Sequence, residues 1–333
     1  VTVFSVAVLG GGRSSEHEIS LASAASIRAG LQHAGHKVIA IEIGRDGVWR
    51  RHGEAMSVTP GQGLDEADVV FPALHGPFGE DGTVQGLLEC LDVPYVGAGV
   101  LASALCMDKV LFKELMSWAG VPQVDFRSVR VERYHADQQA VLDDLSGLGL
   151  PVFVKPARLG SSVGIVRVTE QADLAPALET AFIHDPLVII EAAARGIEVE
   201  CSVIGNGHPV ASEPGEIVIA SPGSGWYDYE AKYTPGGMEL IVPARVPPQV
   251  RERIRELALQ TFLRTGCCGL ARVDFFVEGE RVLVNELNTM PGFTETSVFG
   301  SLFAASGIAY PDLLDRLVKL ALERHAAERM HRR

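Results

Sequence analysis

Residues 270–297, LARVDFFVEGERVLVNELNTMPGFTETS, constrain the fold more than any other stretch of the chain. Apolar and β-branched residues flank a glycine-centred break at Glu278-Gly279-Glu280, which predicts two strands joined by a tight turn. Side chains alternate faces along a strand, so Arg272, Asp274 and Phe276 share one face, as do Val282, Val284, Glu286 and Asn288 on the returning strand. Pairing of Val277 with Arg281 across a three-residue loop sets Arg272 opposite Glu286 and makes Asp274 its diagonal neighbour. A two-residue loop would separate the carboxylates onto opposite faces, so the odd loop is the expectation. Two carboxylates and an amide oxygen beside an arginine suit Mg²⁺, which bridges one or two carboxylates to substrate phosphates. The same residues would also make an arginine–carboxylate ladder on a solvated sheet face. The rest of the chain has to decide between them.

At 333 residues the chain exceeds one compact core and predicts two or three domains. Its 29 basic and 42 acidic residues leave a net charge of −13, which argues against a general nucleic-acid or anionic-membrane surface while allowing a local basic pocket. Five cysteines, without Cys-x-x-Cys spacing, fit free thiols in a reducing compartment. No basic leader precedes the first apolar strand and no apolar run approaches ~18 residues. Neither a signal peptide nor a membrane span is expected, and a cytoplasmic location follows.

Phe4–Leu9 predicts a strand that ends in Gly10-Gly11-Gly12, followed by a helix over 19–31 with Ser14 or Ser15 as N-cap and a strand over 36–43. A helix start after a glycine turn can bind an anion, although Gly10-x-Gly12-x-x-Ser15 lacks the third glycine of a dinucleotide fingerprint. Glu16 and Glu18 at that helix start would also simply favour the positive end of its dipole. Asp68–Leu74 is a buried-type strand that empties into His75-Gly-Pro-Phe-Gly-Glu-Asp-Gly, where α/β folds place ligands. The glycine-rich break at 97–99 marks a domain boundary. In the next helix, over 107–118, Lys109 lies in the first turn and opposes the helix dipole, which asks for an anion nearby.

After a linker-like stretch at 127–149, two strands flank the Gly/Ser-rich loop 158–164. Such a loop can turn several N–H groups and the hydroxyls of Ser161 and Ser162 toward one anion, as a hairpin flap rather than a P-loop; it would equally be a mobile hairpin tip. Lys155 lies on the strand entering it. Further on come a strand ending in Glu191, a strand carrying Glu198 and Glu200 on one face, and a Gly- and Pro-bounded loop at 223–237. A long loop of that kind is expected to be a functional lid.

Seven blocks, in order, resemble the ATP-grasp enzymes and within them the D-alanine–D-alanine ligase family: GGRSSEHEISL (11–21), LHGPFGEDG (74–82), MDK (107–109), VKP with GSSVG (154–164), YDYEAKY (227–233), RVD (272–274) and NELNTMPG (285–292). The fold implied is α/β: a Rossmann-like parallel-sheet domain at 1–98, then two α+β subdomains, 99–193 and 194–333, that clamp ATP. The resemblance implies that Asp274 and Glu286 hold one Mg²⁺, and Glu286 with Asn288 a second, with Mn²⁺ as a substitute and a monovalent cation such as K⁺ as a further activator. Lys109, Lys155, Ser161, Ser162 and Lys232 would neutralise the phosphates. Glu191, Ala192 and Ala194 would read adenine, Glu198 the ribose, and Phe153 and Phe276 would wall the base, with Asn285 beside the nucleotide. Glu16 would bind the first D-alanine ammonium, with His75 near that substrate; Arg272 and the Gly292 N–H would stabilise an oxyanion; Ser297 would hold the second carboxylate. Glu16, Ser161 and Tyr233 would latch the lid. A homodimer is implied too.

The implied reaction is ATP-driven formation of D-alanyl-D-alanine through a D-alanyl phosphate, for cell-wall precursor synthesis. D-Alanine–D-lactate and D-alanine–D-serine ligases share these motifs but differ in the lid, where Lys232 and Tyr233 fit a ligase that takes D-alanine second. Gly196-Ile-Glu stands where Gly-Arg-Glu is commoner. A dinucleotide-binding oxidoreductase built on Gly10–Gly12 is the alternative of another class, and it leaves Asp274, Glu286 and Asn288 without a task.

Overall fold

The computed structural model describes residues 2–160, 163–219 and 237–331. The chain opens with β1 (Ser5–Gly11), α1 (His17–His33), β2 (Lys37–Ile43), β3 (Trp49–Arg51), β4 (Glu54–Ala55) and β5 (Val69–Pro72). These strands form one sheet in the order β4-β3-β2-β1-β5. It is parallel across β2, β1 and β5, with an antiparallel edge at β3 and β4. The expected serine cap of α1 is not used. Glu16 stands at its N-cap without a side-chain cap bond, while Ser14 Oγ accepts the Glu16 N–H and donates to the His75 carbonyl. The serine is spent on joining two loops.

α2 (Thr83–Cys90) and α3 (Val100–Met107) follow, then α4 (Lys109–Trp118), whose N-cap Asp108 accepts the N–H groups of Val110 and Leu111. The helix expected over 107–118 is α4, which starts two residues later because Asp108 turns extended to cap it and Met107 ends α3. The stretch expected to be a linker is structured. It forms β6 (Phe126–Arg130), α5 (Val131–Ala136) and α6 (Gln138–Ser146). Val129, Tyr134, Val141 and Leu145 give it enough apolar contact to be core, despite its polar composition. β7 (Val152–Pro156), β8 (Val166–Val168), α7 (Leu174–Phe182) and β9 (Leu187–Ala192) complete an antiparallel sheet of order β6-β9-β7-β8.

A third sheet contains β10 (Ile197–Gly205), β11 (Val210–Ala211), β12 (Gly215–Ile219), β13 (Met238–Ile241) and, after α8 (Pro248–Arg264), β14 (Gly269–Glu278) and β15 (Arg281–Asn288). Its order is β13-β12-β10-β14-β15, with β11 paired to β10. Ile254, Leu257 and Phe262 of α8 bury one face of it against Val199, Val273 and Phe275, which leaves the other face for polar side chains.

α9 (Val298–Ala305) and α10 (Tyr310–His331) close the described chain. α10 returns to the first sheet, where Leu313, Leu314 and Leu317 pack with Ile27 and Leu31 of α1. The two helices approach closely at Gly30, where a Cβ would lie 2.4 Å from Leu314 Cδ1. Truncating Leu314 to alanine there would cost about 2–5 kcal/mol. No helix among the described residues is long and apolar enough to cross a membrane.

Candidate active site

A cavity of about 1130 Å³ opens among the three sheets, and β14–β15 form one of its walls. The turn of this hairpin is shorter than expected. Glu278 pairs with Arg281 and Val277 with Val282, so the loop is Gly279-Glu280, and Gly279 (φ 66°) takes the left-handed conformation that such turns require. An even loop would have sent Glu286 to the core, but a β-bulge restores it. Phe275 pairs with Val284, whereas Asp274 pairs with Glu286, leaving Asn285 as the extra residue. Val282 and Val284 therefore belong to the core with Leu287, not to the face of Glu286 and Asn288. The carboxylates share the cavity face, as the sequence predicts, by a different route. Asn288, not Glu286, lies across from Arg272.

Arg272 is the organiser of this wall. Its Nε and Nη2 donate to the two Asp274 oxygens at 2.7 and 2.8 Å, and its Nε lies 2.9 Å from Glu200 Oε2 on β10. Asn288 Nδ2 donates to Asp274 Oδ2 at 3.0 Å. Asp274 is thus fixed in orientation, its Oδ2 accepting from both Arg272 and Asn288 and its Oδ1 from Arg272. Among the described residues no cluster of three or more His, Cys, Asp or Glu is arranged to hold a metal by itself. The donor set of Asp274, Glu286 and Asn288 fits Mg²⁺ of the kind whose shell is completed by phosphate oxygens and water.

Opposite, the first sheet contributes Glu16 and His75, both buried and both bordering the cavity. His75 Nδ1 lies 2.9 Å from the Met290 carbonyl, which only accepts, so Nδ1 carries the proton and Nε2 accepts from Ser23 Oγ at 3.0 Å. Burial lowers the His75 pKa further, against the opposing pull of Glu16, and keeps the ring neutral. Ser23 Oγ also accepts the Phe293 N–H at 3.2 Å, and Tyr310 donates to the Phe293 carbonyl at 3.0 Å. The segment carrying Gly292, which borders the cavity, is therefore clamped on either side of that glycine by the first sheet's helix and loop. Ser297 borders the cavity too, its hydroxyl donating to the Thr294 carbonyl at 2.7 Å. Glu80, whose Oε1 accepts the Gly76 N–H, is pushed up to about 8 by burial and by Glu16.

Among the described residues, the lysines that border the cavity come from α4 and β7. Lys109 Nζ donates to the Leu159 carbonyl at 2.7 Å, and Lys155 Nζ donates to Glu191 Oε2 at 2.5 Å. Lys113, one helical turn beyond Lys109, meets Glu191 Oε1 at 3.1 Å. Both Glu191 oxygens are thus taken by lysines, which together overcome burial and hold its carboxyl down to about 2. Glu191, expected with the backbone after it to read adenine, has its side chain engaged by these two lysines. Phe153, Ala192, Ala194, Glu198, Phe276 and Asn285 border the same end of the cavity, with Lys155 Nζ 5.8 Å from the Phe153 ring centre. Ser161, Ser162, Lys232 and Tyr233, with nearly all of the lid at 223–237, lie outside the described residues.

The glycine turn Gly10–Gly12 does not border the cavity. A Cβ on Gly11 would collide with the Ile43 carbonyl and the His17 ring, and His17 Nδ1 is bound to the Gly12 carbonyl at 2.7 Å. The close approach at this turn is thus to the protein's own His17 ring. Sequence reasoning left Glu200, Lys113, Ser23 and Glu80 out of the site. The first three had a trace in spacing: Glu200 is two residues from Glu198 on a strand, Lys113 is four from Lys109 on a helix, and Ser23 is seven from Glu16.

The chain is similar to known proteins along nearly its whole length. The family profile described as D-ala D-ala ligase C-terminus matches residues 115–319, and the one described as D-ala D-ala ligase N-terminus matches 5–63 and 50–98. The D-alanine–D-alanine ligase of Mycolicibacterium gilvum (strain PYR-GCK) is 46% identical over 360 residues, with 96% of this chain and 97% of that protein covered. That of Deinococcus radiodurans is 46% identical over 336 residues, with 96% and 98% covered. Among solved structures, the D-alanine–D-alanine ligase from Coxiella burnetii aligns with a TM-score of 0.84 at 35% identity, over 98% of this chain and 97% of that one. The VanG D-Ala:D-Ser ligase from Enterococcus faecalis also gives 0.84, at 34% identity over 96% and 100%.

Proposed function

The chain belongs to the D-alanine–D-alanine ligase family, and we propose that it joins two D-alanines at the expense of ATP, forming D-alanyl-D-alanine, ADP and phosphate for cell-wall precursors. One observation carries the reading. Asp274 and Glu286 stand opposite one another beside Arg272, on a cavity that also takes in buried Glu16 and the lysines 109 and 155. That cavity offers a fixed negative charge for an ammonium, a fixed cation for a carboxylate or oxyanion, and cations for a triphosphate.

The carboxylate of the first D-alanine attacks the γ-phosphorus, the bond to the β-phosphate oxygen breaks, and D-alanyl phosphate and ADP result. The deprotonated amine of the second D-alanine then attacks the acyl carbon, and phosphate leaves. Glu16 orients the first ammonium, with neutral His75 packed nearby. Arg272, held by Asp274 and Glu200, and the Gly292 N–H face the tetrahedral oxyanion, while Ser297 receives the second carboxylate. Lys109 and Lys155 meet the phosphates; Phe153, Ala192, Ala194, Glu198, Phe276 and Asn285 surround the nucleoside, with Glu191 acting through Lys155. Mg²⁺ held by Asp274 and Glu286, and a second ion by Glu286 and Asn288, would neutralise phosphate charge; Mn²⁺ suits the same oxygens, and K⁺ would act as an activator. Closure by Ser161, Ser162, Lys232 and Tyr233 belongs to this reading, since an acyl phosphate must be kept from water. So do the divisions near 98 and 193, a cytoplasmic location and a homodimer.

A second reading, ligation of D-serine in the second position, is favoured by the equal TM-score of the D-Ala:D-Ser ligase. The test is purified protein with ATP, Mg²⁺ and D-alanine, following ADP and product by mass. D-Alanyl-D-alanine formed in step with ADP supports the proposal. Turnover that requires D-serine or D-lactate beside D-alanine would reassign the second substrate.

A further inference from the structure

Glu191, on β9, lies between two ammonium groups. Lys155 Nζ, at 2.5 Å, borders the cavity; Lys113 Nζ, at 3.1 Å, lies behind it, its side chain 1% exposed and outside the cavity wall. Lys113 reaches this place because α4 stacks it one turn beyond Lys109, on the face turned to β7 and β9. Its ammonium makes no hydrogen bond of regular geometry, so its tie to Glu191 is one of charge. These three groups hold two positive charges and one negative, and Lys155, the one that borders the cavity, also feels Glu286 and Glu198 there.

We propose that Lys113 is a positioning residue that sets the charge Lys155 offers to the nucleotide phosphates. By taking half of the Glu191 carboxylate, it leaves less of the Lys155 charge neutralised and makes the Lys155–Glu191 bond easier to relax when a phosphate oxygen arrives. Without Lys113, Lys155 and Glu191 form a neutral, short, buried pair that competes with the phosphate. The inference rests on the reading that this cavity takes ATP.

The test is calorimetric binding of Mg·ATP and of adenosine, which lacks phosphates, to wild-type protein, Lys113→Gln and Lys113→Gln/Glu191→Gln. Glutamine at 113 removes the charge while leaving a polar, slightly shorter side chain at the buried position. Lys113→Gln is expected to weaken Mg·ATP at least tenfold and to leave adenosine within twofold. The double variant, in which no carboxylate at 191 competes for Lys155, should recover Mg·ATP to within threefold of wild type. A purely structural lysine would lower both affinities together, and a second lesion would not repair it. Should Lys113→Gln not fold, Lys113→Met alone and with Glu191→Gln makes the same comparison. Equal losses of both ligands, or no recovery in the double variant, overturn the inference alone. Wild-type protein that binds no Mg·ATP overturns the ligase reading and the inference with it.

Discussion

Asp274 faces Glu286 directly across the β14–β15 pair because Asn285 is bulged out of register between them. The bulge aims two acidic side chains into one cavity, where repulsion between them is useful once divalent cations and a triphosphate fill the space. Glu286→Gln keeps the shape and removes the charge. It should fold as wild type does and lose turnover by about 10³-fold or more. Mg·ADP at a hundredfold excess over its Kd should stabilise wild type by about 2.7 kcal/mol and the variant by far less. Thermal unfolding with and without Mg·ADP measures this, and an equal shift in both proteins would remove Glu286 from the metal role.

Arg272 presents a planar fork to Asp274 and Glu200 that a point charge cannot copy. Arg272→Lys is expected to lower kcat by about 10²–10³-fold, as for loss of an oxyanion donor. Glu200→Gln, which acts through Arg272, should cost about 10–100-fold, the range for groups that orient another ligand. Steady-state kinetics decides; a larger loss at Glu200 than at Arg272 would contradict this order.

Ser23 joins His75 to the Phe293 amide. Ser23→Ala leaves both without their buried partner, at about 1–3 kcal/mol of stability. Gly292 sits in the segment thus loosened, so kcat should fall by about tenfold or more, since misplacing a reacting group by an ångström is costly. KM for ATP should not change. Unfolding and kinetics on the same preparation test both halves.

Glu191 supplies a pH signature. Burial would raise its pKa, yet Lys113 and Lys155 bring it to about 2, below the ordinary 4.5. A carboxyl lowered on folding contributes stability that is complete above the unfolded value and is lost as pH falls through the folded one. Wild type should therefore lose stability between pH 4.5 and about 2 more steeply than Glu191→Gln. Parallel denaturation curves over that window would show that the lysines do not stabilise this charge.

The hairpin shows how far the sequence can be followed. Asp274 and Glu286 can share a face only if one extra residue lies between them, and the alternation of side chains demands it. Parity alone does not say whether that residue sits in the loop or in the strand. Gly279 settled it by making a two-residue turn, which left Asn285 to bulge. The segment 127–149 was opaque for another reason: Asp, Gln and Arg on its outer faces mask the few apolar positions that bury it. Glu16, His75 and Arg272 were legible through the motif blocks that carry the family resemblance, and Lys109 through its place in a helix's first turn, where a lysine opposes the dipole. Lys113 was hidden by its resemblance to an ordinary surface position on an amphipathic helix, although it is buried.

The central claim is that a carboxylate oxygen of D-alanine attacks the γ-phosphate of ATP. Turnover of D-alanine labelled with oxygen-18 in its carboxylate, followed by mass analysis of the products, tests it most directly. The account predicts that one labelled oxygen appears in inorganic phosphate for each dipeptide formed, with ADP unlabelled. Unlabelled phosphate, or label recovered in a cleaved nucleotide, would contradict it.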